Sequence, residues 1–364
     1  MSDIGQVIRD EIAALAAYHV PDAAGYIKLD AMENPFPLPD ALREGLAKHL
    51  AGAAINRYPD PAGAKLTHAL RDAMRVPPQL DILLGNGSDE IIQMLAMACA
   101  KPGAKLLSVE PAFVMFKMIA TFCGMTYVSV PLKTADFSLD TDAMLAAVNE
   151  HQPALTFIAY PNNPTGNLFD RDGIRKIIRA SSGLVVIDEA YFAFSSDSFL
   201  EELCEFPNAV LMRTVSKLGL AGVRLGMLIG RRNWIAAVDK VRLPYNINSF
   251  TQAAATYLLD NIAAFVEQTE VLIAERTALA ANLDRLFARF PGTQRFPSEA
   301  NFVLLRMPNA PIVFAELKAR KILVKNTSQS HVLLHDTLRI TIGLPAENAA
   351  FLTALTSILE SHHA

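Results

Sequence analysis

The stretch Gly183-Leu184-Val185-Val186-Ile187-Asp188-Glu189-Ala190-Tyr191 constrains this chain's fold more than any other. Four consecutive apolar residues leave no polar face, so a strand made from them must be covered on both sides. That is the situation of a strand inside a parallel sheet flanked by helices. Further strands are predicted at Met125–Val130, Leu155–Ala159, Val210–Met212 and Gly226–Ile229, with helical patterns between most of them. The alternation predicts an α/β fold: a large domain with a mostly parallel sheet flanked by helices. From about Asn233 the pattern turns helical, with long helices predicted over Asn248–Asp260 and Ile262–Phe290. Short strands at Thr293–Phe296, Asn301–Arg306, Ile322–Lys325 and Leu338–Gly343, with a helix at Ile312–Ala319, predict a smaller α+β C-terminal domain. The expected organisation is an N-terminal arm with part of the small domain over 1–45, the large domain over 46–250 and the small domain over 251–364. A short amphipathic helix is expected over residues 4–17, from the spacing of Ile4, Val7, Ile8, Ile12 and Leu15.

Composition narrows the function. The 364 residues are 51% hydrophobic and 19% charged, which suits two domains with a large core. A net charge of −4 without a long basic run leaves no electrostatic footprint for nucleic acid. No apolar run reaches membrane-spanning length, and residues 1–10 lack the basic and apolar regions of a signal peptide. Cys99, Cys123 and Cys204 are odd in number and widely spaced, which predicts free thiols in a reducing, cytoplasmic compartment. No metal site is expected: His331 and His335 are four apart but have no further ligands nearby.

The chemistry gathers at the carboxyl ends of the predicted strands, where parallel sheets place their active groups. Asp188 ends one strand. The strand Phe157-Ile158-Ala159 runs into a turn containing Asn163, Pro164 and Gly166. A third leads into Arg213-Thr214-Val215-Ser216-Lys217-Leu218-Gly219-Leu220-Ala221-Gly222-Val223-Arg224. Lys217 lies among Leu218, Leu220 and Val223, where desolvation would lower its pKa and make it a nucleophile toward an aldehyde. Thr214 and Ser216 add hydroxyls, and Arg224 a planar cation suited to phosphate. Together these groups suit a phosphorylated aldehyde, pyridoxal 5′-phosphate. A carboxylate such as Asp188 would keep that cofactor's ring nitrogen protonated. Asn86-Gly87-Ser88-Asp89 is a glycine turn before a helix, with Ser88 as expected N-cap and the N–H groups of Gly87, Ser88 and Asp89 available to an anion. Each feature has a plainer reading: a surface lysine, a capped helix without a ligand, a turn asparagine.

The ordered set Asn163-Pro164-Thr165-Gly166, then Asp188 with Tyr191, then Ser216-Lys217 with Arg224, resembles the fold-type I pyridoxal-phosphate aminotransferases. Within them the chain is most similar to the group that acts on histidinol phosphate. Glu33-Asn34-Pro35, Arg57-Tyr58-Pro59-Asp60, the Gly-Leu-Ala-Gly run at 219–222, Ala300-Asn301-Phe302 and Leu338-Arg339-Ile340-Thr341-Ile342-Gly343 carry that likeness. The resemblance implies that Phe113 covers the cofactor ring, that Asn163 and Tyr191 bond its phenolate oxygen, and that Tyr58 reaches the phosphate of a neighbouring subunit in a homodimer. It places Arg339 at the substrate, with Lys325 where relatives often carry arginine, and Asn34, Tyr26 and Asn86 as further substrate contacts. An ion pair of Arg339 with Glu33 or Asp336 is the plainer alternative. The implied partners are histidinol phosphate and glutamate or 2-oxoglutarate. Aromatic amino-acid transamination, threonine-phosphate decarboxylation and non-catalytic cofactor binding stay open.

Overall fold

The computed structural model describes residues 5, 7–17 and 20–363. Twelve strands run in chain order among them: β1 Ile27–Leu29, β2 Asp81–Asn86, β3 Lys105–Glu110, β4 Thr126–Pro131, β5 Leu155–Ala159, β6 Leu184–Asp188, β7 Ala209–Thr214, β8 Leu225–Gly230, β9 Gln294–Arg295, β10 Phe302–Arg306, β11 Ile322–Asn326 and β12 Thr337–Thr341. Seven form one sheet in the order β2-β8-β7-β6-β5-β3-β4. The five strands from β4 to β7 are parallel, and β8 is antiparallel to both neighbours, β7 and β2. Every residue of β5, β6, β7 and β8 is buried, as their two-sided apolar pattern requires.

The other five strands form a second sheet, β1-β11-β12-β10-β9. Here β1 pairs in parallel with β11, and the remaining pairs are antiparallel. The three residues of β1 are too few and too polar at Lys28 to signal a strand, and pairing with β11 makes them one.

Three main hydrophobic clusters follow these sheets: Ile187, Leu211 and Met227 on one face of the large sheet, Phe157, Val186 and Met212 on its other face, and Val303, Leu338 and Ile340 at the small sheet. Ala255, Leu258, Leu259 and Phe265 still pack with the large sheet's core, while Leu272 joins the small sheet's core. The helix Ala263–Phe287 thus gives residues to both cores. The amphipathic helix expected over 4–17 shrinks to Asp10–Ala13, with no buried residue; Ile4 lies outside the described residues. Val7 is 74% exposed, and the short helix, which buries no residue, gains too little from packing to offset the nucleation cost of a longer one.

Candidate active site

The parallel strands open on one edge, and their ends bring the predicted groups together. Ala159 pairs with Asp188 and Asp188 with Met212, so β5, β6 and β7 finish side by side. A cavity of about 120 Å³ lies beyond them, lined by Asp188, Tyr191, Asn163 and Lys217 and by Thr214, Ser216, Ser88, Asp89, Arg224 and Phe113. Lys217 sits in a wide turn, Ser216–Leu220, made possible by Gly219 at φ 126°. A side chain at Gly219 would also meet Asn34 Nδ2 at 2.9 Å. Lys217 Nζ donates to the Ala31 carbonyl at 3.2 Å and lies 6.0 Å from the Tyr191 ring centroid. Burial, and then the Arg339 charge, lower its pKa to about 8.

Asp188 is only 5% exposed, and its Oδ1 accepts from the Ala190 N–H at 3.0 Å. Burial pushes its carboxyl up to about 7, with Asp89 and Glu189 adding to the rise. Tyr191 is also buried, and its hydroxyl is held well above its ordinary value by that burial. Desolvation is therefore the main force on all three groups, raising the acids and lowering the amine.

At one end of the cavity stands an anion cradle. The helix Gly87–Cys99 starts at Gly87, with φ +77°, and Asn86 holds the N-cap position. Ser88 is therefore in the first turn and not the N-cap: with Gly87 at φ +77° the helix starts two residues earlier than a Ser88 cap would start it. The N–H groups of this turn have no carbonyl a turn earlier to bond. Arg224, itself at φ 54°, brings its guanidinium over Gly87, so close that a Cβ on Gly87 would be 2.6 Å from Nη2. Arg224 Nη2 is 3.9 Å from Asp89 Oδ2. Thr214 and Ser216 share a hydroxyl hydrogen bond of 2.9 Å beside this turn. Gly226 on β8 completes the fit: a Cβ there would fall 2.7 Å from Gly87 C and Ser88 N.

A second cavity, about 460 Å³, adjoins the first and shares Met32, Phe113 and Asn163 with it. Arg339 and Lys325 line it from the small sheet, where they are register partners on β12 and β11. Arg339 Nη1 donates to Asn163 Oδ1 at 2.6 Å and Nη2 to the Asp30 carbonyl at 2.8 Å. With its oxygen engaged, Asn163 has its NH₂ as the group to offer a ligand. Glu33, one of the partners considered for Arg339, pairs with Lys28 at 2.5 Å.

Three expected substrate contacts line neither cavity. Asn34 instead braces the lysine turn, donating to the Leu218 carbonyl at 3.2 Å and to Gln268 Oε1 at 3.0 Å. Tyr26 lies under Lys321, whose Nζ is 4.8 Å from the ring centroid, and Asn86 is exposed at the helix start. Tyr58 is 80% exposed, stacks on Tyr245 at 4.4 Å and lines neither of these two cavities. Sequence reasoning missed Met32, whose φ of 52° holds a segment that contacts both Lys217 and Arg339 through its carbonyls. It also missed a buried network behind Asp188: Glu189 accepts from Arg213 at 2.8 Å, from Ser198 Oγ and from the Phe199 N–H. An arginine inside the apolar run of β7 was the available signal for that network.

Comparison with known proteins gives concordant findings. The family model "Aminotransferase class I and II" matches residues 24–355. The chain is 51% identical over 362 residues to "Histidinol-phosphate aminotransferase 2" of Cupriavidus pinatubonensis, covering 98% of each. It is 53% identical over 352 residues to the histidinol-phosphate aminotransferase of Chromobacterium violaceum, covering 97% of this chain and 98% of that one. Among solved structures, the histidinol-phosphate aminotransferase of Sinorhizobium meliloti in complex with pyridoxal-5′-phosphate shares the fold, with a TM-score of 0.85 at 24% identity and 98% coverage of both chains.

Proposed function

The chain belongs to the class I and II aminotransferases, and we propose that it moves the amino group of histidinol phosphate to 2-oxoglutarate with pyridoxal 5′-phosphate as carrier. One observation carries this reading. The lysine cavity opens into a second cavity where Arg339 and Lys325, paired across neighbouring strands, present two cations. One arginine suffices for a carboxylate, whereas a second cation beside it suits a phosphate dianion.

The residues fit the cofactor. A Cβ on Gly87 or Gly226 would fill the cradle, so both positions leave room at the helix start for an anion. Arg224, Ser88, Asp89, Thr214 and Ser216 surround that room, and Phe113 and Asn163 line the adjoining wall. When bound, pyridoxal phosphate supplies an aldehyde carbon that carries the amine and a ring that stabilises negative charge at the substrate's Cα. With the cofactor bound, Asp188 would hold a proton at the ring nitrogen and would itself be ionised beside that cation. Asn163 Nδ2 and the Tyr191 hydroxyl would be the donors to the ring oxygen. Lys217 would hold the cofactor at its aldehyde carbon, and its Nζ is the group placed to move the proton at the substrate's Cα, as base and then acid. At pH 7.5 a pKa near 8 leaves about a quarter of such an amine neutral, against about one part in a thousand for an ordinary lysine. Arg339 and Lys325 hold the phosphate end and orient Cα toward Lys217.

The working form is a homodimer in the cytoplasm, in which Tyr58 reaches the neighbouring subunit's cofactor phosphate. Its exposure, and that of Leu243 at 71%, support a covered surface there. The free thiols Cys99, Cys123 and Cys204 support a reducing compartment.

The test is steady-state turnover with 2-oxoglutarate and, in separate assays, histidinol phosphate, phenylalanine or threonine phosphate, following glutamate and carbon dioxide. Glutamate formed fastest with histidinol phosphate is the expected result. A preference for phenylalanine, or carbon dioxide release from threonine phosphate, would overturn the substrate assignment.

A further inference from the structure

The outer cavity is divided in charge. Arg339 and Lys325 enter it from the small sheet, and Glu110, the last residue of β3, enters from the large one. The Glu110 side chain is only 22% exposed and is oriented through one oxygen. Ser129 Oγ donates to Oε2 at 3.1 Å, and His331 Nε2 lies 3.7 Å from that same oxygen. The other oxygen, Oε1, has Lys117 Nζ at 3.9 Å, beyond hydrogen-bond length, and that lysine side chain is 63% exposed. Tyr127 and Lys117 flank the same carboxylate, whose two oxygens still have lone pairs to accept an N–H entering from the cavity. The carboxylate also repels phosphate, so a ligand with one anionic arm and one N–H arm is sorted into a single orientation.

The geometry points to Glu110 as the residue that selects the substrate's imidazole, with Oε1 accepting the ring N–H. This rests on the proposed reading that the substrate is an amine carrying a phosphate on one arm and an imidazole on the other. A phenyl ring in the same place sets an apolar edge against a partly buried carboxylate, displacing water from it without supplying a donor, which is unfavourable. Glu110 thus separates imidazole-bearing amines from phenyl-bearing ones of similar size.

The experiment compares amine transfer by the cofactor-loaded protein from histidinol phosphate and from 2-amino-3-phenylpropyl phosphate. Both carry the same phosphate and amine, so the ratio of their kcat/KM isolates the ring. The parent is expected to favour the imidazole ester by about tenfold or more, and Glu110→Leu, which has no acceptor, to bring the ratio within about threefold of unity. A parent without preference, or a variant that keeps it, overturns the assignment of Glu110. If neither ester donates an amine, the functional reading itself fails, and the subsite with it. A second measurement needs neither variant nor turnover: calorimetric binding of 3-(imidazol-4-yl)propyl phosphate and 3-phenylpropyl phosphate to the parent. About tenfold tighter binding of the imidazole ester is expected, and equal affinities overturn the proposal.

Discussion

At the residue scale, burial pushes Asp188 and Lys217 each toward the uncharged form. The Asp188 carboxyl, near 7 when folded against an ordinary 3.8, keeps a proton that the unfolded chain has lost between those values. The cofactor-free protein should therefore lose stability as pH rises from about 4 to 7. Asp188→Asn removes that loss and should leave the cofactor-free variant more stable than the parent above pH 7, by on the order of 2–4 kcal/mol. Urea unfolding at pH 5 and pH 8 measures this, and an unchanged difference between the two pH values would contradict it. Lys217 has the opposite sign: its depressed value makes the folded state gain stability as pH rises from about 8 toward 10.5. Borohydride reduction of the cofactor-loaded protein should attach a pyridoxyl group to the peptide containing Lys217, and Lys217→Ala should lower turnover by at least about 10³-fold. Behind them, Glu189 is wholly buried against Arg213. Glu189→Gln leaves that guanidinium without its anion and should destabilise the protein by about 3–5 kcal/mol in urea titration.

At the element scale, the anion cradle depends on how closely β8 approaches the start of the helix Gly87–Cys99. Gly226→Ala places a methyl group 2.7 Å from backbone atoms of Gly87 and Ser88, which have no flexible end to move. It should weaken pyridoxal phosphate binding by about tenfold or more, measured by equilibrium dialysis, whereas Gly222→Ala meets nothing within 4 Å and should not. The strand periods were plain in the sequence because burial on both faces leaves an uninterrupted apolar run, as in β5 and β6. The end of a parallel strand is likewise a legible place for chemistry, which is why Asp188, Asn163 and Lys217 could be named from spacing. What spacing does not carry is which backbone reaches back. The carbonyls of Asp30 and Ala31 hold Arg339 and Lys217 from about 310 and 190 residues away in the chain. The same holds for Asn34, placed correctly beside the site but turned toward the Leu218 carbonyl by a contact no local pattern encodes.

At the scale of the whole molecule, two sheets close over one cleft: the large sheet supplies the lysine, carboxylate and anion cradle, and the small sheet supplies the paired cations. Tyr58 faces away from its own cleft, so its proposed role requires a partner subunit. Mixing Lys217→Ala chains with Tyr58→Ala chains should then rebuild one intact site in each mixed dimer and recover up to about a quarter of parental activity. Mixtures no more active than the separate variants would place Tyr58 outside the shared site. Sedimentation should accordingly show a particle of twice the 39.6 kDa chain. The most direct measurement is a single half-reaction: the yellow, cofactor-loaded protein mixed rapidly with histidinol phosphate and no acceptor. Loss of the yellow absorbance, one equivalent per chain and restored by 2-oxoglutarate, is the predicted result. Absorbance that does not move with histidinol phosphate, or that falls only with phenylalanine, would contradict the account.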